Sequence, residues 1–216
     1  LEIRSISAYY LRRILRIALP MMAAVMIAQK LFGYKLSVFE NSILWSLVAE
    51  LIYYVVYPLL LSARRYFGGW EAILFTSFFA SIMVAFSNPT AGDYPSFGRE
   101  LNWLLGLPCW LLGCLLAEQL LVKPSVRIGA EIWLWRLGVW VLSLVCSVLR
   151  FHSPLGYPWT LTFFALAAAV WLFKEISFFR NVRPLSALEW AGSWSYSLYL
   201  LHTLLMWVWL HKLGLM

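Results

Sequence analysis

The sequence predicts an all-α, polytopic transmembrane helical bundle of about seven spans. Three observations predict it. The 216 residues are 62% hydrophobic and 12% charged, whereas a soluble domain is roughly 45–50% apolar and about 25% charged. The apolar residues fall in continuous runs of membrane length, without the period-2 alternation of a membrane barrel. The basic residues gather between those runs, where membrane topology places them.

The runs follow in order. Ile17–Phe32 comes after a basic stretch, and Ile43–Leu61 carries one acid, Glu50, near its middle. Trp70–Phe86, Leu101–Leu121 and Ile132–Leu149 are next. Tyr157–Phe173 is the weakest, because Pro158 opens it, and Trp194–Leu210 closes the set. Each can cross about 30 Å of hydrocarbon, the shorter ones with snorkelling ends or local thinning. Nothing divides the chain by repeat or linker, so a single membrane-embedded domain over residues 1–216 is expected. The chain begins at Leu1 rather than Met and shows no signal peptide, so an N-terminal truncation is expected.

Charge gives the orientation. With the N-terminus in the cytoplasm, the inner segments hold Arg4, Arg12, Arg13, Arg16, Arg64, Arg65, Lys123, Arg127, Arg136, Lys174, Arg180 and Arg183. The outer ones hold only Lys30, Lys35, Arg99, Arg150 and Lys212. That asymmetry obeys the positive-inside rule, and it accounts for the net charge of +7 without a nucleic-acid partner. Arg136 is placed to snorkel, His152 to sit in a solvated loop, and His211 at the interface. Cys109, Cys114 and Cys146 lie inside apolar runs with no metal-ligand spacing, and small apolar packing suits them. No metal site is expected.

The polar residues inside the spans carry the functional signal. A charge at a span centre costs on the order of 3 kcal/mol on insertion scales, so it tends to face a partner or a watery cavity. On a helix, Ser46, Glu50, Tyr53, Tyr54 and Tyr57 share one side. Glu50 either lines a substrate or proton path or ties its helix to a neighbour. In GSWSYSLYLLH, Ser195, Tyr199 and His202 stand at i, i+4 and i+7. A mid-span imidazole can donate, accept or act as a base, and it can equally be a packed helix–helix hydrogen bonder. In YYLRRILRIALP, Arg12, Arg13 and Arg16 anchor topology, while Arg13 and Arg16, three apart, can also fork onto phosphate oxygens.

Together these stretches resemble the acyltransferase-3 family of membrane acyltransferases. Arg13, Arg16 and Pro20 are similar to the family's Arg-x-x-Arg segment followed by Pro. WSLVAELIYYVVYPLLL is similar to its Trp-Ser-Leu-x-x-Glu segment ending in aromatic-Pro, here Trp45, Ser46, Leu47, Glu50, Tyr54, Tyr57 and Pro58. Ser195 to Leu200 with His202 is similar to its closing Ser-Tyr-Ser-Leu-Tyr-Leu-x-His. The spans in the middle match only in character.

The resemblance implies an integral protein of the bacterial inner membrane. It implies transfer of an acyl group, commonly acetyl, from cytoplasmic acyl-CoA to a hydroxyl of an extracytoplasmic carbohydrate or glycolipid. Acyl-CoA is then a donor substrate, and no bound cofactor is implied. Arg13 and Arg16 would hold the CoA phosphates. Glu50, Tyr54 and His202 are the catalytic candidates, to orient groups or relay protons, and Trp45, Ser46, Tyr196 and Tyr199 would line the substrate site. Membrane lipids are the remaining partners, and the oligomeric state is open. Three features depart from the family's pattern. Nothing upstream of Arg12 supplies the Arg and later His of the family's opening spans, Glu50 is followed by Leu51 and Ile52 where the family often has further polar residues, and Pro20 sits one place late. The principal base is therefore expected outside this stretch of chain. The alternative is a non-catalytic permease or scaffold for glycan or lipid handling, or an inactive fragment, with the polar stripes serving as solute path or helix glue.

Overall fold

The computed structural model describes residues 5–34, 44–92, 94–122 and 129–212. The charges at Arg4, Lys35, Lys123 and Arg127, and Ile43 at the head of the second span, lie outside them, as do the side chains of Arg99, His211 and Lys212. The described residues form α1 (Ile6–Phe32), α2 (Trp45–Phe67), α3 (Glu71–Ala85), a short 3-10 turn (Tyr94–Phe97), α4 (Gly98–Val122), α5 (Ile132–His152), α6 (Tyr157–Phe179) and α7 (Ser186–Lys212), with no strand among them.

The helix ends follow local chemistry. Ser5 is extended, and its hydroxyl accepts from the N–H of Ala8, capping α1. Gly33 ends α1 at φ 69°, a left-handed conformation in which a side chain would be strained. Its N–H donates to the Gln29 carbonyl at 3.1 Å. Pro158 does not weaken α6. It sits in the first turn, where the missing N–H would have had no helical partner. His152 is the last residue of α5 rather than a loop residue.

Five helices are long and apolar enough to cross a membrane: α1, α2, the Glu100–Leu121 stretch of α4, α5 and α6. The expected seven spans are thus corrected at two places. The helix α3 is shorter, at 15 residues. The helix α7 has 27 residues, but Glu189, His202 and repeated Ser, Tyr and Trp dilute its apolarity. Large apolar side chains such as Leu59 (71% exposed), Phe75 (74%) and Leu134 (74%) cover the outside of the chain. A soluble protein does not expose so much contiguous apolar surface, so the solvent for these faces is lipid. The protein is an integral, multi-pass membrane protein.

The chain forms two compact units, one of residues 2–58 and 184–216 and the other of residues 59–183 with Leu1. In the first, α1, the part of α2 up to Pro58, and α7 surround Ile17, Ala24, Ala28, Leu44, Leu47, Leu200 and Leu204. Ala24 and Ala28, one turn apart and almost wholly buried, let a neighbouring backbone come close. Ile17 meets Tyr196, and beyond the helix end Tyr34 meets Trp207, so α1 and α7 run the same way. Tyr9 and Tyr10 meet Tyr54 and Val55 late in α2, while Ser46 early in α2 meets Tyr199, so α2 runs against both.

In the second unit α4 packs on α3 and on α6, and α5 packs on α6. Small residues, Ser77 and Ser81, line the buried face of α3. Gly156 N–H donates to the Pro89 carbonyl and Tyr157 N–H to that of Ala91, stitching the start of α6 to the turn after α3. A Cβ on Gly156 would stand 2.6 Å from the Ala91 oxygen, so only glycine fits. Arg136 does not snorkel. It forks onto Glu175 at 2.6 to 3.2 Å, and Trp171 Nε1–H donates to the same carboxylate at 3.0 Å. Arg64 pairs with Glu118 and lies over Trp70.

Candidate functional site

Most of the polar residues picked out in the sequence come together in the unit of α1, α2 and α7. On α2 the spacing of Glu50 and Tyr54 puts both on one face, and Tyr54 donates its hydroxyl to Glu50 Oε1 at 2.9 Å. Glu50 is half-buried and forms no ion pair among the described residues. Of the rest of the stripe, Tyr53 is buried, and Tyr57 faces α1, its ring 5.8 Å from that of Tyr9.

From α1, Arg13 lays its guanidinium over the Tyr54 ring, 4.7 Å from the centroid, and 5.8 Å from that of Tyr9. Such stacking fixes the plane of the guanidinium and leaves its N–H edge to bind a planar or tetrahedral anion. Arg16, one turn further on, is exposed. It lies within electrostatic range of both Tyr54 and Tyr196, as does Glu50. Arg13, Arg16, Glu50, Tyr54 and Tyr196 therefore belong to one electrostatic neighbourhood. Tyr196 is also tied to α1, its hydroxyl donating to the Ile17 carbonyl at 3.3 Å.

A second polar cluster lies between α2 and α7. The hydroxyls of Ser46 and Tyr199 meet at 2.5 Å, 153 residues apart in sequence. His202 packs its ring 5.7 Å from that of Tyr199 and places Nδ1 2.7 Å from the Tyr199 carbonyl oxygen. A carbonyl only accepts, so Nδ1 carries the proton and Nε2 of a neutral ring has its lone pair to offer. Among the described hydrogen bonds none joins His202 to Glu50 or Tyr54. Trp45 opens α2 next to Ser46, half-buried.

Sequence reasoning passed over Tyr9 and Tyr10. Their hydroxyls donate to the carbonyls of Tyr54, at 3.3 Å, and Val55, at 2.9 Å. One signal could have found Tyr9, which stands four residues before Arg13 and so on the same helical face. Among the described residues no group of three or more His, Cys, Asp and Glu side chains converges.

An integral helical unit that gathers two cations, a carboxylate and phenols among its helices is a candidate functional site, since ionisable groups in a membrane protein usually face a partner or a polar cavity. The family model for an acyltransferase domain, acyltransferase-3, matches residues 2–215, and the chain belongs to that family. No curated protein and no solved structure matches it.

Proposed function

We propose that the protein is an O-acyltransferase of the bacterial inner membrane. It moves an acyl group, acetyl in the simplest case, from cytoplasmic acyl-CoA to a hydroxyl of an extracytoplasmic carbohydrate or glycolipid. The observation that carries this reading is the contact sequence Arg13–Tyr54–Glu50. A guanidinium is stacked on a phenol, and that phenol holds a carboxylate within the membrane, in a chain of this family.

In this reading Arg16 and the free edge of Arg13 hold the CoA phosphates through charge-assisted hydrogen bonds. The acceptor hydroxyl attacks the thioester carbonyl carbon. The new C–O bond forms as the C–S bond breaks, the hydroxyl proton passes to a base, and the CoA thiolate leaves and is protonated. Within this chain, Glu50 and the Nε2 of His202 are the groups that can take or relay that proton. Tyr54 orients the carboxylate, and Trp45, Ser46, Tyr196 and Tyr199 line the substrate site.

The test is acyl-CoA binding to the full chain in nanodiscs. A phosphate-bound guanidinium contributes roughly 1.5–3 kcal/mol. Arg16→Ala is therefore expected to weaken binding about 10- to 100-fold, and Arg13→Ala with Arg16→Ala further still. Saturable binding that ignores both substitutions would overturn this reading and favour a permease or scaffold.

A further inference from the structure

We propose that Tyr9 is a positioning residue of this site, its hydroxyl taking the place of the helix hydrogen bond that Pro58 deletes from α2. The functional half of the proposal rests on the acyl-CoA reading above. In a helix the carbonyl of residue i accepts from the N–H of residue i+4, and for Tyr54 that residue is Pro58, which has none. A main-chain carbonyl must find its partner within the protein when the surroundings are lipid. Tyr9 reaches across from α1 and donates to this carbonyl at 3.3 Å. Tyr10 donates to the next one, of Val55, at 2.9 Å.

The ring of Tyr9 is as closely placed as its hydroxyl. It stands edge-on to Tyr54, 6.5 Å between centroids, and against Tyr57 at 5.8 Å, the residue just before the proline. Arg13, one turn along α1, lies over Tyr9 and Tyr54 together. The residue whose main chain Tyr9 caps is the residue whose phenol holds Glu50 and carries Arg13. Tyr9 thus sets the register of α1 against α2 at the level of the site. Through Tyr54 it sets where the guanidinium and the carboxylate sit. Its role is exerted on Tyr54, and its own hydroxyl is spent on the backbone.

The proline makes the proposal testable, because Pro58→Ala returns an N–H to the Tyr54 carbonyl. The full chain would be prepared in nanodiscs as wild type, Tyr9→Phe, Pro58→Ala and the double variant, with acyl-CoA affinity and unfolding midpoint measured on each. Tyr9→Phe keeps the ring and loses one hydrogen bond, so affinity is expected to fall about 5- to 10-fold and the midpoint to drop. In the Pro58→Ala background the same change is expected to cost less than half as much in both readouts. Equal costs in the two backgrounds would overturn the capping role. Coupling in the midpoint with affinity untouched by Tyr9→Phe would overturn the positioning role. A wild-type chain that binds no acyl-CoA would overturn the acyl-CoA reading and the positioning role with it, and the midpoint cycle would still decide the capping.

Discussion

Replacing Glu50 with Gln separates a structural carboxylate from a chemical one. The side chain keeps its shape and an oxygen to accept the Tyr54 hydroxyl, now 2.9 Å from Oε1. A hydrogen bond to a charged group is worth roughly 1.5–3 kcal/mol and one between neutral groups roughly 0.5–1.5 kcal/mol. Gln therefore gives up about 1 kcal/mol of that contact. Against this, Gln carries no charge; Glu50 is the sixth residue of α2, so the roughly 3 kcal/mol that a charge costs at a span centre is an upper bound on what Gln saves. No described cation forms an ion pair with Glu50. Stability is expected to hold or to rise slightly. Chemistry is expected to suffer, since a positioned acid or base contributes about 10²- to 10⁴-fold. The assay is transfer of labelled acetyl from acetyl-CoA in proteoliposomes, alongside thermal unfolding in the same lipid. Transfer at least about 100-fold slower with unchanged unfolding is the expected result. If both stay at wild-type values, the functional reading of Glu50 is wrong. If unfolding collapses with transfer, the Tyr54–Glu50 contact is a structural tie.

One further outcome follows from the other unit. Gly156→Ala drives a Cβ to within 2.6 Å of the Ala91 oxygen and the Thr90 carbon, both main-chain atoms. It is expected to cost on the order of 1–3 kcal/mol of stability, as overpacking does, and unfolding at the wild-type midpoint would contradict the close approach.

What the sequence made legible was faces, and what it left out was partners. The period of the polar residues placed Ser46, Glu50 and Tyr54 on one stripe of α2, and Tyr199 and His202 on one stripe of α7. The internal Tyr54–Glu50 contact follows from i, i+4 spacing alone. The Ser46–Tyr199 contact does not, because no local pattern says which of several stripes will meet across 153 residues. The same limit hid Glu175 from Arg136, which looked like an interfacial cation until α6 supplied its carboxylate. Span ends failed for another reason. Apolarity marks where a helix meets lipid and not where it starts, so α1 begins at Ile6 rather than Ile17 and α7 at Ser186 rather than Trp194. Pro158 misled because a proline reads as a breaker unless its position in the helix is known.

Tyrosine is the residue that lets this unit hold a polar site in an apolar setting. Its ring counts as apolar surface, and its hydroxyl finds a partner at the far end. Tyr9, Tyr10 and Tyr196 all give their hydroxyls to main-chain carbonyls on a neighbouring helix. Bonds of that kind tie α1 to α2 and α7 without drawing on side-chain acceptors. Among the described hydrogen bonds, Glu50 receives Tyr54 on one oxygen and His202 is held through Nδ1. Had the helices been joined by ion pairs, as α5 and α6 are through Arg136 and Glu175, the tie would have neutralised the carboxylate to which the proposed function gives a role.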